Sequence, residues 1–323
     1  GCDVFLSWHP GTKNDCNYGS NLAVQILEIK YYGISSHAGA APEKGRSALD
    51  GLTISSIAME FLREHMIEPM RIQYIITNGG QAPNSVPEFA QMRLVIRGPM
   101  MKDIDELRSR DGGIDDCIRA GALASGTDVT MQVVGAFYNK IPNRTGSDLI
   151  IDNMNYVGAP IFTEEENQFV QALAEKYGIP LGKLDSSIHE PIDDTGKASA
   201  DTGDVSYIAP LISFNTTTEA LGTPGHSSAK NEQVGMSIGW KGAIFATKVL
   251  ACSGLDLLTD EGKLAAIQKE FKERMEGVDY HPVIPADLWP PIPKENPADF
   301  KGPAVPNLPE PEKPESLLYW KTN

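Results

Sequence analysis

The sequence predicts a mixed α/β protein in which residues 25–139 form a ferredoxin-like α+β unit. Short runs with alternating apolar residues predict strands, and two longer runs with apolar residues at helical spacing predict helices. These segments follow one another in the order β-α-β-β-α-β, which is the order of the ferredoxin-like fold. Since 323 residues are enough for two domains of roughly 150 residues each, we expect the rest of the chain to form a second domain.

Each element of the predicted unit has its own sequence signal. In order along the chain, the elements are a strand at 25–34, a helix at 47–66, strands at 71–77 and 89–97, a helix at 103–124 and a strand at 128–138. Pro69 ends the first helix, because proline lacks the N–H that a helix interior needs. The segment NGGQAPNSVPE is rich in turn-forming residues and separates the two middle strands.

The remainder of the chain follows a different pattern. Residues 1–24 are predicted as a strand with a polar loop, and 140–280 as a strand at 205–214 with helices at 163–177, 234–251 and 262–275. Thr163 and the three glutamates after it resemble an acid–base cluster, but a capping box at a helix start explains them better. Residues 281–323 hold 11 of the 23 prolines, which predicts an extended tail or, alternatively, a proline-rich ligand for a partner.

Composition excludes several classes of partner. The chain has 43 acidic and 28 basic residues, and its net charge of −15 excludes a nucleic-acid partner and an anionic membrane surface. No apolar run approaches the ~20 residues of a membrane span, so no membrane partner is expected. The four cysteines form no CxxC pair, which excludes a zinc ribbon and fits reduced thiols in the cytoplasm. An export signal upstream of Gly1 is the alternative for localisation.

Three of the six histidines lie in loops that glycine and proline shape after a strand. They are His9 in WHPG, His37 in SSHAGAAP and His226 in GTPGHSS. A loop histidine is more often a hydrogen-bonded structural residue, but such loops also hold ligands rigidly, and imidazole binds zinc, manganese and cobalt. The other histidines are expected on the surface or in a solvated loop: His65, His281 and His189. No HExxH, GxSxG or GxxxxGKS/T motif is present, which argues against zincins, α/β-hydrolases and nucleotide hydrolases.

Four motifs in this order resemble one known family. They are GISSHAGAAPEKGRSALDG, NGGQAPNSVPEFAQ, TGDVSYIAP and ALGTPGHS, and together they span nearly the whole chain. The chain resembles the aminoacylase/glutamate carboxypeptidase family of dinuclear metallopeptidases, and within it the amidohydrolase branch. The resemblance implies a zinc-peptidase-like α/β catalytic domain, formed by residues 1–24 and 140–280. Residues 25–139 would be an inserted ferredoxin-like lid that also makes the dimer.

Two histidines match metal-binding positions of this family. The resemblance implies that His9 binds one divalent ion and His226 the other, with two zinc or manganese ions in the intact enzyme. Gly222 and Gly225 would shape the loop that carries His226 beside the substrate. Histidine nitrogen suits zinc, manganese and cobalt alike, so the identity of the metal stays open.

Three residues of the lid match positions that act on the substrate. His37 resembles the histidine that crosses the dimer to the neighbouring subunit's active site and polarises the scissile carbonyl. Asn84 and Arg97, thirteen residues apart, match positions that hold the carboxylate of the substrate. The planar fork of arginine suits the geometry of that anion.

The chain departs from the family at its beginning. In the family, the part before the WHP segment supplies a metal-binding segment and a Glu-Glu pair, one glutamate of which is the general base. Because nothing here matches and the chain starts at Gly1 without Met, we expect the last two-thirds of a metal-dependent amidohydrolase or peptidase, inactive on its own. The expected reaction is hydrolysis of an N-acyl or aminobenzoyl amino acid amide, similar to p-aminobenzoyl-glutamate, by metal-activated water.

A second interpretation belongs to another class of protein. The chain would then be a non-catalytic dimerisation or regulatory subunit that retains the lid and works with a separate chain. The missing methionine at Gly1 favours a truncated enzyme over this alternative. In the enzyme interpretation we expect a homodimer through the lid, formed by a symmetric surface, and a small amide or dipeptide-like substrate.

Overall fold

The computed structural model of the protein describes residues 1–283, which divide into two compact units. The first unit consists of residues 1–21, 140–196 and 202–280, and the second consists of residues 22–139 and 197–201 with the described residues after 280. The strands are β1 (Phe5–Gly11), β2 (Ala23–Tyr32), β3 (Arg71–Asn78), β4 (Phe89–Gly98), β5 (Asp128–Phe137) and β6 (Leu211–Thr217). The α-helices are α1 (Ala48–Leu62), α2 (Met101–Ser109), α3 (Ile114–Ser125), α4 (Arg144–Val157), α5 (Glu164–Tyr177), α6 (Thr202–Val205), α7 (Ser228–Val234), α8 (Ser237–Thr259) and α9 (Glu261–Arg274).

The second unit is a four-stranded antiparallel sheet packed against α1, α2 and α3. The strand order is β3-β4-β2-β5, and in the central pair Leu27 of β2 lies opposite Leu94 of β4. Alternate residues of these two strands are buried in the core, because successive side chains of a strand point to opposite faces. The predicted ferredoxin-like fold class is confirmed.

One predicted helix of this unit is wrong. The sequence predicts a single helix over residues 103–124, whereas the structure has α2 and α3 there. The chain leaves the helical conformation at Arg110, and Gly112 then takes a φ of 69°, which glycine adopts without steric cost. A Cβ on Gly113 would lie 2.4 Å from the carbonyl oxygen of Leu107. The Asp-Gly-Gly sequence therefore separates the two helices.

Small residues let α1 and α3 pack closely. A Cβ added to Gly121 of α3 would lie 2.0 Å from Ser55 Oγ and 2.3 Å from the carbonyl oxygen of Gly51, both in α1. The Ser55 hydroxyl is fully buried and lies 2.6 Å from the hydroxyl of Tyr31 in β2. Burial raises the pKa of Tyr31, so the phenol stays protonated and joins the two helices to the sheet.

The first unit contains a parallel pair of strands, β1 and β6, with helices packed against it. Trp8 of β1 and Phe214 of β6 lie opposite each other and pack with Phe245 and Val249 of α8 in one core. The sequence predicts a strand over residues 205–214, but the structure has the short helix α6 and starts β6 after Pro210. Proline cannot donate a ladder hydrogen bond, so the strand begins beyond it.

Helix α5 confirms the capping-box prediction. The Thr163 N–H donates to Glu166 Oε2 at 2.7 Å, and the Glu166 N–H donates to Thr163 Oγ1 at 3.3 Å. Glu166 also accepts from Lys241 of α8 at 2.7 Å, so this carboxylate is committed to structure. The helices predicted at 234–251 and 262–275 correspond to α8 and α9, and α4 was not predicted.

Helix α8 differs from the expectation that no apolar segment is as long as a membrane span. Among residues 1–283, this helix is long and apolar enough to cross a membrane, and its most apolar 18-residue window has a mean hydropathy of 1.3. Length and composition are weak grounds for a span, because the core helix of a folded domain meets the same criterion. Phe245, Ala246 and Val249 of α8 are indeed buried in the core of the first unit. The proline-rich tail expected at 281–323 falls almost entirely outside the described residues.

Candidate functional site

His9 lies near the carboxyl end of β1, where it pairs with Asn215 of β6 in the parallel register. The side chain is exposed, and its Nδ1 lies 2.7 Å from the carbonyl oxygen of Pro10. Because a carbonyl oxygen only accepts hydrogen bonds, Nδ1 carries the proton and Nε2 keeps its lone pair. An imidazole held in this way can bind a metal ion through Nε2.

Polar residues that no sequence motif indicates lie next to this position. Asn215 Nδ2 donates to Asp15 Oδ1 at 2.7 Å, and Lys140 lies near Asp15 and Cys16, where burial lowers the pKa of its ammonium group. Burial raises the pKa of the Cys16 thiol to about 12, so the thiol stays protonated and does not act as a thiolate ligand at neutral pH. Because these residues lie far apart in the sequence, only the fold reveals the cluster.

His226 lies in a loop that leads from the end of β6 to α7, and its side chain is exposed. Its φ of 55° is positive, and no other non-glycine residue among residues 1–283 has a positive φ. Such a conformation is sterically costly for an L-residue and marks sites that the surrounding structure holds in place. Gly222 has a φ of 83°, and a Cβ there would lie 2.8 Å from the Pro180 carbonyl oxygen. Gly225 has open space around it.

His9 thus lies on β1 and His226 lies in the loop after β6, and both imidazoles are exposed. Within residues 1–283 no group of three or more His, Cys, Asp or Glu side chains is arranged to hold a metal ion. Protein zinc sites use three or four protein ligands. The tautomer of His9 fits metal binding, but two imidazoles supply only part of a ligand set.

His37 lies in the exposed loop after β2 and has the opposite tautomer to His9. Its Nδ1 accepts hydrogen bonds from the backbone N–H of Gly39 at 3.2 Å and of Ala40 at 3.1 Å. The lone pair of Nδ1 is therefore occupied, and in the neutral ring the proton is on Nε2. Nε2–H is then an outward-facing donor, which suits a carbonyl oxygen as its partner.

Asn84 lies beside His37, because the Ala38 N–H donates to the Asn84 carbonyl oxygen at 2.9 Å. Arg97 lies at the other end of β4, eight residues beyond Phe89, which corresponds to about 27 Å along a strand. Its guanidinium donates to Ser199 Oγ at 2.8 Å and to Gln73 Oε1 at 3.4 Å. The structure therefore brings His37 and Asn84 together and leaves Arg97 apart from both within one chain.

His189 lies in a loop with 34% of its side chain exposed, and it also has a carboxylate partner. Its Nε2 lies 2.7 Å from Asp185 Oδ2, and its backbone N–H donates to the carbonyl oxygen of Asn14 at 3.0 Å. Burial acts to raise the pKa of Asp185, but hydrogen bonds from Ser187 and His189 outweigh it and lower the pKa. Asp185 and His189 are four residues apart in the sequence. This spacing brings two side chains together in a helix, but the segment is a loop, so the spacing did not predict their contact.

Comparison with family models identifies the central part of the chain. Residues 26–110 match a model described as a peptidase dimerisation domain, that of the M20 peptidases. The match begins within β2 and ends after α2, so it covers most of the second unit.

Two curated proteins are similar over most of the chain. A p-aminobenzoyl-glutamate hydrolase subunit of Escherichia coli (strain K12) is 30% identical over 316 residues, covering 89% of this chain and 65% of that protein. The Xaa-Arg dipeptidase of Mus musculus is 29% identical over 277 residues, covering 85% of this chain and 57% of that protein. The chain therefore spans between half and two-thirds of the length of these relatives.

A solved structure shares the fold. The crystal structure of an aminobenzoyl-glutamate utilization protein from Klebsiella pneumoniae matches with a TM-score of 0.51 and 16% identity, covering 79% of this chain and 55% of that one. The resemblance inferred from the four sequence motifs is thereby confirmed. The dimerisation-domain match, the relative at 30% identity and the shared fold make the chain similar to the M20 amidohydrolases and peptidases over most of its length.

Proposed function

We propose that the complete protein is a metal-dependent amidohydrolase that cleaves an N-acyl or aminobenzoyl amino acid amide similar to p-aminobenzoyl-glutamate. The observation that carries this proposal is the contrast between two histidines. His9 presents a lone pair at Nε2, as a metal ligand does, whereas His37 presents a proton at Nε2, as a carbonyl-polarising group does. The names of the relatives, a p-aminobenzoyl-glutamate hydrolase subunit and an Xaa-Arg dipeptidase, support amide substrates.

In this proposal His9 and His226 each hold one of two divalent ions, zinc or manganese. Such ions, when bound, supply Lewis acidity and lower the pKa of water. His37 donates from Nε2 to the carbonyl oxygen of the amide in the facing subunit of a homodimer, where negative charge develops. Arg97 binds the carboxylate of a substrate through its guanidinium. Since Asn84 lies in the loop before β4 and Arg97 lies near the far end of that strand, residues of two subunits would have to meet at one substrate.

The tautomer contrast is directly measurable. In a long-range ¹H–¹⁵N spectrum at neutral pH, we expect the His9 ring to show a protonated Nδ1 and the His37 ring a protonated Nε2. Adding Zn²⁺ should shift the ¹⁵N signals of His9 and His226 and leave His37 unchanged. His65, an exposed histidine of the second unit, serves as the control ring. The same tautomer in His9 and His37, or no response of His9 and His226 to Zn²⁺, would contradict the proposed roles.

We also propose that this chain is inactive by itself. The described residues provide no third metal ligand beside His9 and His226. In addition, the parallel pair β1–β6 is two strands wide within residues 1–283, and parallel sheets are found with more strands and with both faces covered. Hydrolysis of p-aminobenzoyl-glutamate with Mn²⁺ or Zn²⁺ should be absent for this chain. It should appear once the upstream coding sequence is restored, and it should be lost on His226→Ala.

The proposed homodimer has a suitable surface on the second unit. Strand β3 is an edge strand with Ile75 62% exposed, and α1 exposes Ile57 and Phe61, the latter at 67%. Unpaired strand edges and exposed apolar side chains are the features that a symmetric interface covers. In the dimer, β3 would pair with its counterpart in the partner subunit.

Charge introduced at this surface should separate the subunits. We expect Ile75→Lys combined with Phe61→Lys to raise the dimer dissociation constant on the order of 100-fold or more, because two apolar anchors are lost and two like charges meet across the symmetry axis. Leu123→Lys changes a residue of α3 that is 62% exposed and is the matched control. Light scattering across a concentration series measures the result. A monomer in the unsubstituted protein, or dissociation by Leu123→Lys alone, would contradict this interface.

A non-catalytic dimerisation or regulatory subunit is the second candidate function. The combination of a matched dimerisation domain with an incomplete ligand set in residues 1–283 favours it. Failure of any upstream extension to give amide hydrolysis would support this candidate over the enzyme. For either candidate we propose a cytoplasmic location, since all four cysteines are free thiols.

A further inference from the structure

The loop that carries His226 is closed by one buried amide side chain. Gln233 of α7 is 0% exposed, and its Oε1 accepts from the backbone N–H of Ala220 at 2.8 Å. Its Nε2 donates to Thr223 Oγ1 at 3.1 Å and to the carbonyl oxygen of Ala229 at 2.9 Å. A single side chain therefore bonds to Ala220 and Thr223 of the loop and to the first turn of α7.

An ion pair closes the same loop at its base. Glu219 precedes the loop and is 3% exposed, and its Oε1 lies 2.9 Å from Nζ of Lys230, which follows the loop in α7. Breaking a buried pair of this kind leaves an uncompensated charge, which is costly. Gln233 and the Glu219–Lys230 pair thus both connect the chain at the start of the ten-residue segment 220–229 to α7.

The tip of the loop is held by a shorter link, the hydrogen bond that the Ser227 hydroxyl donates to the Pro224 carbonyl oxygen at 2.8 Å. The imidazole of His226 makes no hydrogen bond with any residue among 1–283, and a Cβ added to the neighbouring Gly225 would meet nothing within 4 Å. His226 nevertheless keeps a φ of 55°, which an unrestrained loop would leave because left-handed backbone is unfavourable for residues with a Cβ. The orientation of the ring therefore depends on what holds the backbone.

We infer that Gln233, together with the Glu219–Lys230 pair, is a positioning residue that holds His226 in its ligand-presenting conformation. The inference rests on the proposed role of His226 as a metal ligand, but its structural part can be measured without a metal. Loss of the three Gln233 hydrogen bonds frees the loop to leave the positive φ. The imidazole would then present a different direction, and the affinity for a divalent ion would fall.

The test compares Gln233→Met, which keeps the length of the side chain without its hydrogen bonds, with Gln233→Glu, which keeps only the acceptor. We expect Gln233→Met to speed amide hydrogen exchange in residues 220–229 by about tenfold or more, since buried hydrogen bonds are lost. The Zn²⁺ concentration at the midpoint of the change in the His226 ¹⁵N chemical shifts should rise by about tenfold. The midpoint for His9 should stay unchanged. Gln233→Glu should fall between the two proteins in both measurements.

Asn153→Leu is the matched control, because Asn153 is another buried amide of the first unit, bonded to Leu149 and Asp256 instead. It should lower global stability without changing exchange in residues 220–229. Lys230→Met provides an independent variant in case Gln233→Met does not fold.

Three outcomes are decisive. Unchanged exchange in residues 220–229 for both Gln233→Met and Lys230→Met would overturn the inference. An equal His226 response to Zn²⁺ in Gln233→Met and the unsubstituted chain would overturn it while leaving the proposed function intact. Faster exchange in the variants, with no His226 response to Zn²⁺ in any protein, would uphold the positioning of the loop and refute the metal role.

Discussion

Replacing His37 with alanine in the active form of the protein is expected to lower kcat by about 10²- to 10³-fold, the cost of one oxyanion donor. The expectation follows from the ring's geometry, since Nδ1 is held by two backbone N–H groups and only Nε2–H can donate. KM should change little, because the bond strengthens as charge develops on the carbonyl oxygen. Steady-state kinetics with p-aminobenzoyl-glutamate measures both constants, and His65→Ala is the control.

A mixing experiment tests whether His37 acts across the proposed homodimer. In the active form of the protein, His37→Ala should keep about 1% of the activity or less and His226→Ala should keep none, but a mixed dimer would contain one site with both residues intact. Random reassortment of equal amounts should therefore restore about one quarter of the activity, since half of the dimers are mixed and each has one working site. Recovery below a few per cent would show that His37 and His226 of the same chain serve one site.

Replacing Gly121 with alanine should destabilise the second unit by about 1–3 kcal/mol, the usual cost of overpacking. The added Cβ would lie 2.3 Å from the carbonyl oxygen of Gly51 and 2.0 Å from Ser55 Oγ. A backbone carbonyl inside α1 cannot rotate away, so α1 and α3 have to move apart. Urea unfolding together with hydrogen exchange of α1 and α3 measures the effect.

The same substitution at Gly254 provides the control. Gly254 lies inside α8, and a Cβ there would meet nothing within 4 Å. Gly254→Ala should therefore stabilise the first unit by about 0.5–1 kcal/mol, because alanine loses less backbone entropy in a helix. If both substitutions stabilise the protein, close packing of α1 on α3 does not contribute to the stability of the second unit.

Much of the secondary structure was predictable because it depends on local patterns. The alternation along β2 and β4 and the capping box before α5 are each set by residues within a few positions of one another. The interruption between α2 and α3 was missed, although the Asp-Gly-Gly sequence is a local signal for it. The start of β6 was misplaced because apolar content alone does not distinguish α6 from a strand.

The candidate site residues come from the sequence, whereas their geometry comes only from the structure. Motif resemblance selects His9, His37 and His226, yet no motif states which ring nitrogen carries the proton. That choice is made by hydrogen bonds to the Pro10 carbonyl in one case and from backbone N–H groups in the other. Likewise, β4 separates Asn84, which precedes the strand, from Arg97, which lies near its end. Their spacing of thirteen residues in the sequence does not show this separation.

The sequence by itself determined the fold class, the family resemblance and the identity of the loops that carry histidines, because periodicity, turn residues and motif order are all local or ordered along the chain. Only the tertiary structure decided which ring nitrogen of His9 and of His37 carries the proton. The tautomers of His9 and His37 follow from backbone groups placed by the folded loops. The loop in which His226 has its positive φ is bonded at Ala220 and Thr223 by the buried side chain of Gln233, which lies seven residues further along.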